Sequence, residues 1–188
     1  WNASALAGLG RRGYMNKEDI QTLARTNEDK YGLPRNLLVN LVRLESGGNP
    51  EAYNASTDAS GLTQIIPKYH PSVKNPFDPF ESLDYTARTL RSYADQFGSY
   101  EAAVAAWHAG PARVQENIAS GGNGIPKTKD RVTGLSTQDY VARIVSGLDT
   151  VVPGDALTVT YNEFNRQKLL ILAILIIGVG AFVIASKG

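Results

Sequence analysis

The chain contains no cysteine. Disulfides, thiolate nucleophiles and thiolate zinc sites are therefore excluded. Histidine is scarce, with only His70 and His108, too few for a histidine-rich metal centre, and no metal or cofactor is expected. Charge of either sign is not in excess: 19 Lys and Arg stand against 18 Asp and Glu, a formal net of +1. That balance gives no electrostatic reason to expect nucleic acid as a partner. No glycine-rich phosphate loop and no Ser/His/Asp spacing is present. At 188 residues the chain fits one domain with something attached. It opens at Trp1 rather than methionine, as a processed or trimmed chain would, so the question of a leader peptide stays open at this point.

What the chain does have is a short apolar stretch ending in an acid, Pro34 to Gly48. Pro34 suits a first helical turn, where its missing N–H is not needed. Leu38, Leu41, Val42 and Glu45 recur at i, i+3, i+4 and i+7, one face of a helix. Three of the four are apolar, so the face points at a core. Gly47 and Gly48 stop the helix and Pro50 keeps it stopped. Glu45 thus falls in the last turn on the inward side, where desolvation and the negative end of the helix dipole disfavour a charge. A carboxyl kept protonated is what a general acid needs. A solvated Glu at a helix end is the competing reading of the same residues.

Around this stretch the pattern is helical. Asn16 to Tyr31 reads as a helix capped by Asn16 and closed by Gly32, with a partial apolar face of Ile20, Leu23, Ala24 and Tyr31. It is expected to pack against the Glu45 helix as a hairpin. Asn49 to His70 reads as loop with at most a small β-hairpin, and its centre is Ser60-Gly61-Leu62-Thr63-Gln64. Glu81 to Phe97 carries an apolar stripe of Leu83, Ala87, Leu90, Ala94 and Phe97. Ser99 caps a helix over Tyr100 to His108. Ala109-Gly110-Pro111 breaks it and a helix from Ala112 to Ala119 follows. Ser120 to Gly124 reads as a flexible connection. Ser136 with Asp139 forms a capping-box pattern before a helix carrying Tyr140, Ile144 and Leu148.

The segment 169–185 differs in kind. It has no polar residue, and twelve of its side chains are Leu, Ile, Val or Phe. At roughly −0.3 to −0.6 kcal/mol each they favour membrane insertion by about 5 kcal/mol. As a helix it would span about 25 Å, close to the ~30 Å hydrocarbon core. Arg166, Lys168 and Lys187 can reach the interfaces at its ends. The expected organisation is an arm over 1–15, a globular domain over 16–150, a linker over 151–162 and a single transmembrane helix within 163–188.

Four motifs stand in order along the soluble part: Glu45-Ser46-Gly-Gly-Asn-Pro, Gly61-Leu62-Thr63-Gln64, Ala106-Trp107-His108-Ala109-Gly110-Pro111, and Tyr140-Val-x-Arg-Ile. Together they resemble the lytic transglycosylases of the lysozyme superfamily, over roughly Tyr31 to Leu148. The resemblance implies a mainly α, α+β lysozyme-like fold and peptidoglycan glycan strands as substrate. It implies cleavage between N-acetylmuramic acid and N-acetylglucosamine with formation of a 1,6-anhydro sugar. It makes Glu45 the sole catalytic acid/base and Ser46 an orienting residue. Thr63 and Gln64 would line the sugar groove, Trp107 and His108 its other wall, and Tyr140 would contact the acid or the sugar. Thr63 stands where the family has Met, Trp107 where it has Tyr, and His108 where it has Asn. Trp107 and Tyr140 are readable as core aromatics too, and His108 as a helix C-terminal cap. His70 is read as a loop residue without a role.

Two rival readings accompany this one. A goose-type lysozyme would hydrolyse the same bond and want a second acid, for which Asp58 is the candidate, although an Asp in a Ser/Thr-rich turn is ordinary. A non-enzymatic wall-binding or membrane protein would account for the departures at Thr63 and His108. A membrane anchor through Leu169–Ala185 poses a topological question, since peptidoglycan lies outside the cell membrane. A phage virion protein with envelope or membrane partners answers it, and a bacterial inner-membrane protein facing the periplasm is the alternative.

Overall fold

Asn16 and Asp19 start the first helix, α1, over Lys17–Tyr31. The Asn16 side chain accepts the Asp19 N–H at 2.8 Å and the Asp19 carboxylate takes the Asn16 N–H at 3.2 Å, a complete capping box. Gly32 closes the helix with φ 63°, a left-handed position that glycine tolerates. This computed structural model describes residues 15–129, 134–146 and 148. The chain divides into two units, Trp1–Leu148 and Asp149–Gly188, and every described residue lies in the first.

Helix α2 spans Leu37–Ser46, three residues later than Pro34 implies. Pro34 lies ahead of it, where its carbonyl accepts the Leu37 N–H in a turn. Asn36 occupies the N-cap position with φ 68° and gives no side-chain cap. The cap comes from α1 instead. Glu28, 1% exposed, accepts the Asn36 N–H at 2.9 Å with one oxygen and the Leu38 and Val39 N–H groups at 2.8 and 3.1 Å with the other. Three otherwise orphaned donors are thus satisfied by one carboxyl. Leu38, Leu41 and Val42 are buried as their spacing requires.

A two-stranded hairpin follows, β1 (Tyr53–Asn54) and β2 (Ala59–Ser60), with Tyr53 opposite Ser60 and Asn54 opposite Ala59. Ser60 and Ile65 then exchange two backbone bonds of 2.9 Å, which pinches Gly61–Gln64 into a closed loop. Helix α3, Pro79–Phe97, begins at the Asp78 cap, two residues before the expected start, because Pro79 occupies its first turn. Helix α4 spans Tyr100–Ala109 from the Ser99 cap, α5 spans Pro111–Ala119, and α6 spans Thr137–Val145. Leu148 falls beyond α6 rather than on it. Ser136 caps α6 by accepting the Asp139 N–H at 3.0 Å, and its hydroxyl donates to the Asp139 carboxylate at 2.6 Å. The Ser120–Gly124 connection is a hydrogen-bonded turn. Asn117 accepts the Gly122 and Gly124 N–H groups, each at 2.8 Å, and Gly124 is buried.

Helix α4 lies at the centre of the core. It packs on α3, α5 and α6, while α1 packs on α2 and α3 and α2 packs on α6. Ala102 through Ala106 are all buried. Their small side chains let three neighbours approach one short helix. The described residues thus form a mainly helical, lysozyme-like architecture with one small hairpin. Among them no helix is long and apolar enough to cross a membrane. The segment 169–185 lies outside the described residues.

Candidate active site

Glu45 sits half-buried in the last turn of α2. Tyr140 on α6, 3% exposed, donates its hydroxyl to Glu45 Oε1 across 95 residues of sequence. Burial pushes the Tyr140 phenol well above its ordinary value of 10, and the neighbouring Glu45 carboxylate pushes it further. Tyr140 therefore remains a proton-bearing donor at any pH of interest. Its helix is held to α2 by Asn40, whose side-chain amide donates to the Ile144 carbonyl at 2.9 Å.

His108, at the end of α4, covers Tyr140: the rings stack with centroids 4.3 Å apart and planes 30° from parallel. His108 Nδ1 lies 3.1 Å from the Thr137 hydroxyl, and Thr137 in turn lies 2.6 Å from that of Thr128. The first turn of α6 and the 128–129 segment thus fix the imidazole, and the imidazole backs the phenol. Glu45, Tyr140 and His108 form one connected group drawn from three helices.

Ser46 joins α2 to the closed loop. Its hydroxyl lies 2.8 Å from the Leu62 carbonyl and 3.1 Å from that of Val42, and it accepts the Gly48 N–H at 3.2 Å. The loop is seated from the other side by Gly61, which has φ 73°. A Cβ there would come within 1.9 Å of the Pro76 carbonyl oxygen. Gln64, half-buried with φ 52°, turns its amide nitrogen to the Gly61 and Ala52 carbonyls at 3.1 and 3.4 Å. It braces the loop.

Thr63 does not join the group. It is fully buried, with its hydroxyl 2.9 Å from that of Thr86 and 3.1 Å from that of Ser82 on α3. Its side chain faces the core, so the expected groove contact is corrected to an internal hydroxyl cluster. Trp107 is half-buried and stacks on His70, which sequence reading left without a role. Asp58 occupies a left-handed position in the hairpin turn, φ 59°, exposed, and accepts from the Tyr53 hydroxyl at 2.8 Å. Among the described residues no three His, Asp or Glu side chains gather as metal ligands would.

Sequence reading missed Glu28, Asn40 and His70. For the first two a signal was present. Glu28 falls four residues after Ala24 on the apolar face of α1, and Asn40 interrupts the apolar run of α2. A polar residue at a buried phase asks for a partner. His70 carried no such signal, since its partners come from two distant helices.

A mainly helical domain that brings one carboxyl and one phenol together at the end of a buried helix is, as a class, lysozyme-like. The particular family follows from comparison with known proteins. A family described as the transglycosylase SLT domain matches residues 22–129, more than half of the chain, and the chain belongs to that family. Tyr140 lies beyond the matched residues. The chain is also similar to a transglycosylase of Enterobacteria phage PRD1, 28% identical over 146 residues that cover 63% of this chain and 55% of that protein. It therefore spans about half the length of that relative.

Proposed function

We propose that this chain is a peptidoglycan lytic transglycosylase with Glu45 as its single acid/base. The observation that carries this reading is the hydrogen bond from the buried Tyr140 hydroxyl to Glu45 Oε1, inside a domain of the SLT family. In the first step the Glu45 carboxylic acid gives its proton to the glycosidic oxygen between N-acetylmuramic acid and N-acetylglucosamine. The C1–O bond breaks and the N-acetylglucosamine end leaves with a 4-hydroxyl. In the second step the muramoyl 6-hydroxyl attacks its own C1 and its proton passes to the Glu45 carboxylate. The product is the 1,6-anhydro sugar, no water is consumed, and Glu45 ends protonated as it began. Tyr140 steadies the carboxylate between the steps through a donor that is already in place. This differs from the paired-carboxylate scheme of most glycosidases.

Ser46 and Gln64 serve by fixing the loop that borders Glu45, and Trp107 and His108 by presenting rings at the end of α4. The composition of 169–185 supports a membrane anchor, and the similarity to a phage transglycosylase supports a virion-associated role in local wall penetration.

Mass spectrometry of purified peptidoglycan digested by the chain and by its Glu45→Gln variant tests the reading. Anhydro-muropeptides from the parent and none from the variant are expected. Reducing-end muropeptides would replace it with a hydrolytic lysozyme. Absence of any product from the parent would replace it with a wall-binding protein.

A further inference from the structure

One group of rings neither gives nor takes a proton in the chemistry above. The Trp107 indole stacks on the His70 imidazole, with centroids 5.1 Å apart and planes 22° from parallel. His70 is itself held by α3. Its Nδ1 lies 2.9 Å from the Tyr85 hydroxyl, and the Tyr85 ring meets it edge-on at 5.4 Å and 77°. The Arg88 guanidinium stands 5.8 Å from the centre of the Tyr85 ring. Three elements therefore meet here: the loop after β2, α3 and the end of α4.

The position is as informative as the contacts. Trp107 immediately precedes His108, the ring that backs Tyr140, so the last turn of α4 sends one ring toward the acid and the next toward His70. Rings assembled only for the core would be buried, whereas His70, Tyr85 and Trp107 are all half-exposed. A half-exposed indole on its own would sample several rotamers, and fixing it on binding would cost conformational entropy. The stack fixes it beforehand. Aromatic faces complement the apolar C–H face of a pyranose ring, and a pre-oriented face binds it without that loss.

We propose that His70 is a positioning residue for a saccharide platform. It stacks behind Trp107, Tyr85 locks the imidazole, and the pair holds the indole flat for the C–H face of an N-acetylhexosamine unit of the glycan strand. This rests on the glycan-cleaving reading of Glu45. Its own content is that specificity and affinity at this subsite pass through His70, a residue that touches no reacting atom.

The test separates the two readings. Trp1 and Trp107 are the chain's two tryptophans, so a Trp1→Phe background makes Trp107 the only indole reporter. A protonated imidazole in contact quenches indole fluorescence. Burial lowers the His70 pKa below its ordinary 6.5, so the Trp107 emission should fall on acidification with a midpoint below that value. The transition should persist in His108→Asn and vanish in His70→Phe. Binding is then read without turnover, in the Glu45→Gln background, by titrating N-acetylglucosamine oligomers and purified glycan strands. His70→Ala should weaken binding about tenfold. His70→Phe, which keeps a ring behind the indole, should restore it to within about twofold. In the active chain His70→Ala should raise KM by a similar factor and leave kcat nearly unchanged. Parental binding and KM in His70→Ala, with anhydro products still formed, would overturn the platform and leave the enzyme reading intact. A parent chain that neither binds nor cleaves glycan would overturn both.

Discussion

At the scale of single residues, two buried hydrogen-bonding groups have opposite consequences. Tyr140 is a donor whose phenol burial holds well above its ordinary value of 10, so it keeps its proton while Glu45 gives up and regains its own. Tyr140→Phe keeps the ring under His108 and removes only the hydroxyl. It should lower kcat about 10- to 100-fold while the chain still folds, as steady-state kinetics with a melting curve would show. Glu28 is different. Desolvation by burial raises its pKa from 4.5 to about 7, against the backbone N–H groups of Val39, Asn36 and Leu38 and the charge of Arg25, which pull it down. The folded chain thus holds the Glu28 proton more tightly than the unfolded chain does. Below pH 4.5 both states are protonated and nothing is lost. Between pH 4.5 and about 7 the unfolded state ionises first and folding stability falls, by about 3 kcal/mol in total, after which the loss is constant. Glu28→Gln keeps one acceptor oxygen for the Leu38 and Val39 N–H groups, gives up the acceptor for Asn36 N–H, and cannot ionise. Urea unfolding of the two chains from pH 4.5 to 8 should show this fall in the parent and its absence in the variant. Parallel curves would mean that the backbone donors, not burial, set the state of Glu28.

At the scale of elements, the site depends on how two segments are tied to α2. Asn40 ties α6 by donating to the Ile144 carbonyl, and Ser46 ties the 60–65 loop by its contact with the Leu62 carbonyl. Asn40→Ala leaves that carbonyl buried without its donor and should cost about 1–3 kcal/mol of stability. It should also lower kcat, because Tyr140 would no longer be held over Glu45. In a double-mutant cycle the kcat losses of Asn40→Ala and Tyr140→Phe should be less than additive, while losses at independent sites would simply add. Gly61→Ala places a methyl 1.9 Å from the Pro76 oxygen at φ 73° and should destabilise by about 3 kcal/mol, measurable by thermal melting. These ties also mark how far the sequence could be read. Asn16, Gly32, Ser99 and Ser136 act within a few residues of themselves, so α1, α4 and the start of α6 were legible from local pattern. The start of α2 was not, because its cap is Glu28, on another helix. Thr63 was taken for a groove residue because the motif puts a groove residue there. Its hydroxyl instead finds Ser82 and Thr86, 19 and 23 residues away, which no period in the sequence reports. The pairing of Glu45 with Tyr140 spans 95 residues, and only the likeness to a family brought those two together in advance.

At the scale of the whole chain, a domain of the transglycosylase SLT family is followed by a segment whose composition suits a lipid environment. The link between them can be argued energetically. The twelve large apolar residues of 169–185 favour insertion by about 5 kcal/mol, a margin that two central charges should erase. Leu175→Arg with Ile176→Asp removes about 1 kcal/mol of favourable transfer and adds about 6, which leaves insertion unfavourable by roughly 2 kcal/mol. The parent chain should therefore float with phospholipid vesicles in a density gradient, and the doubly substituted chain should stay at the bottom. Both should release the same anhydro-muropeptides from soluble glycan fragments, because Glu45, Tyr140 and every residue that holds them belong to the first unit. On wall sacculi with membrane attached, the parent should act faster than the variant, since anchoring confines it near its substrate and raises the effective concentration. If the variant floats as well as the parent, the anchor reading fails. If it stays down and acts equally fast on membrane-bearing sacculi, the segment contacts lipid without directing the enzyme to the wall.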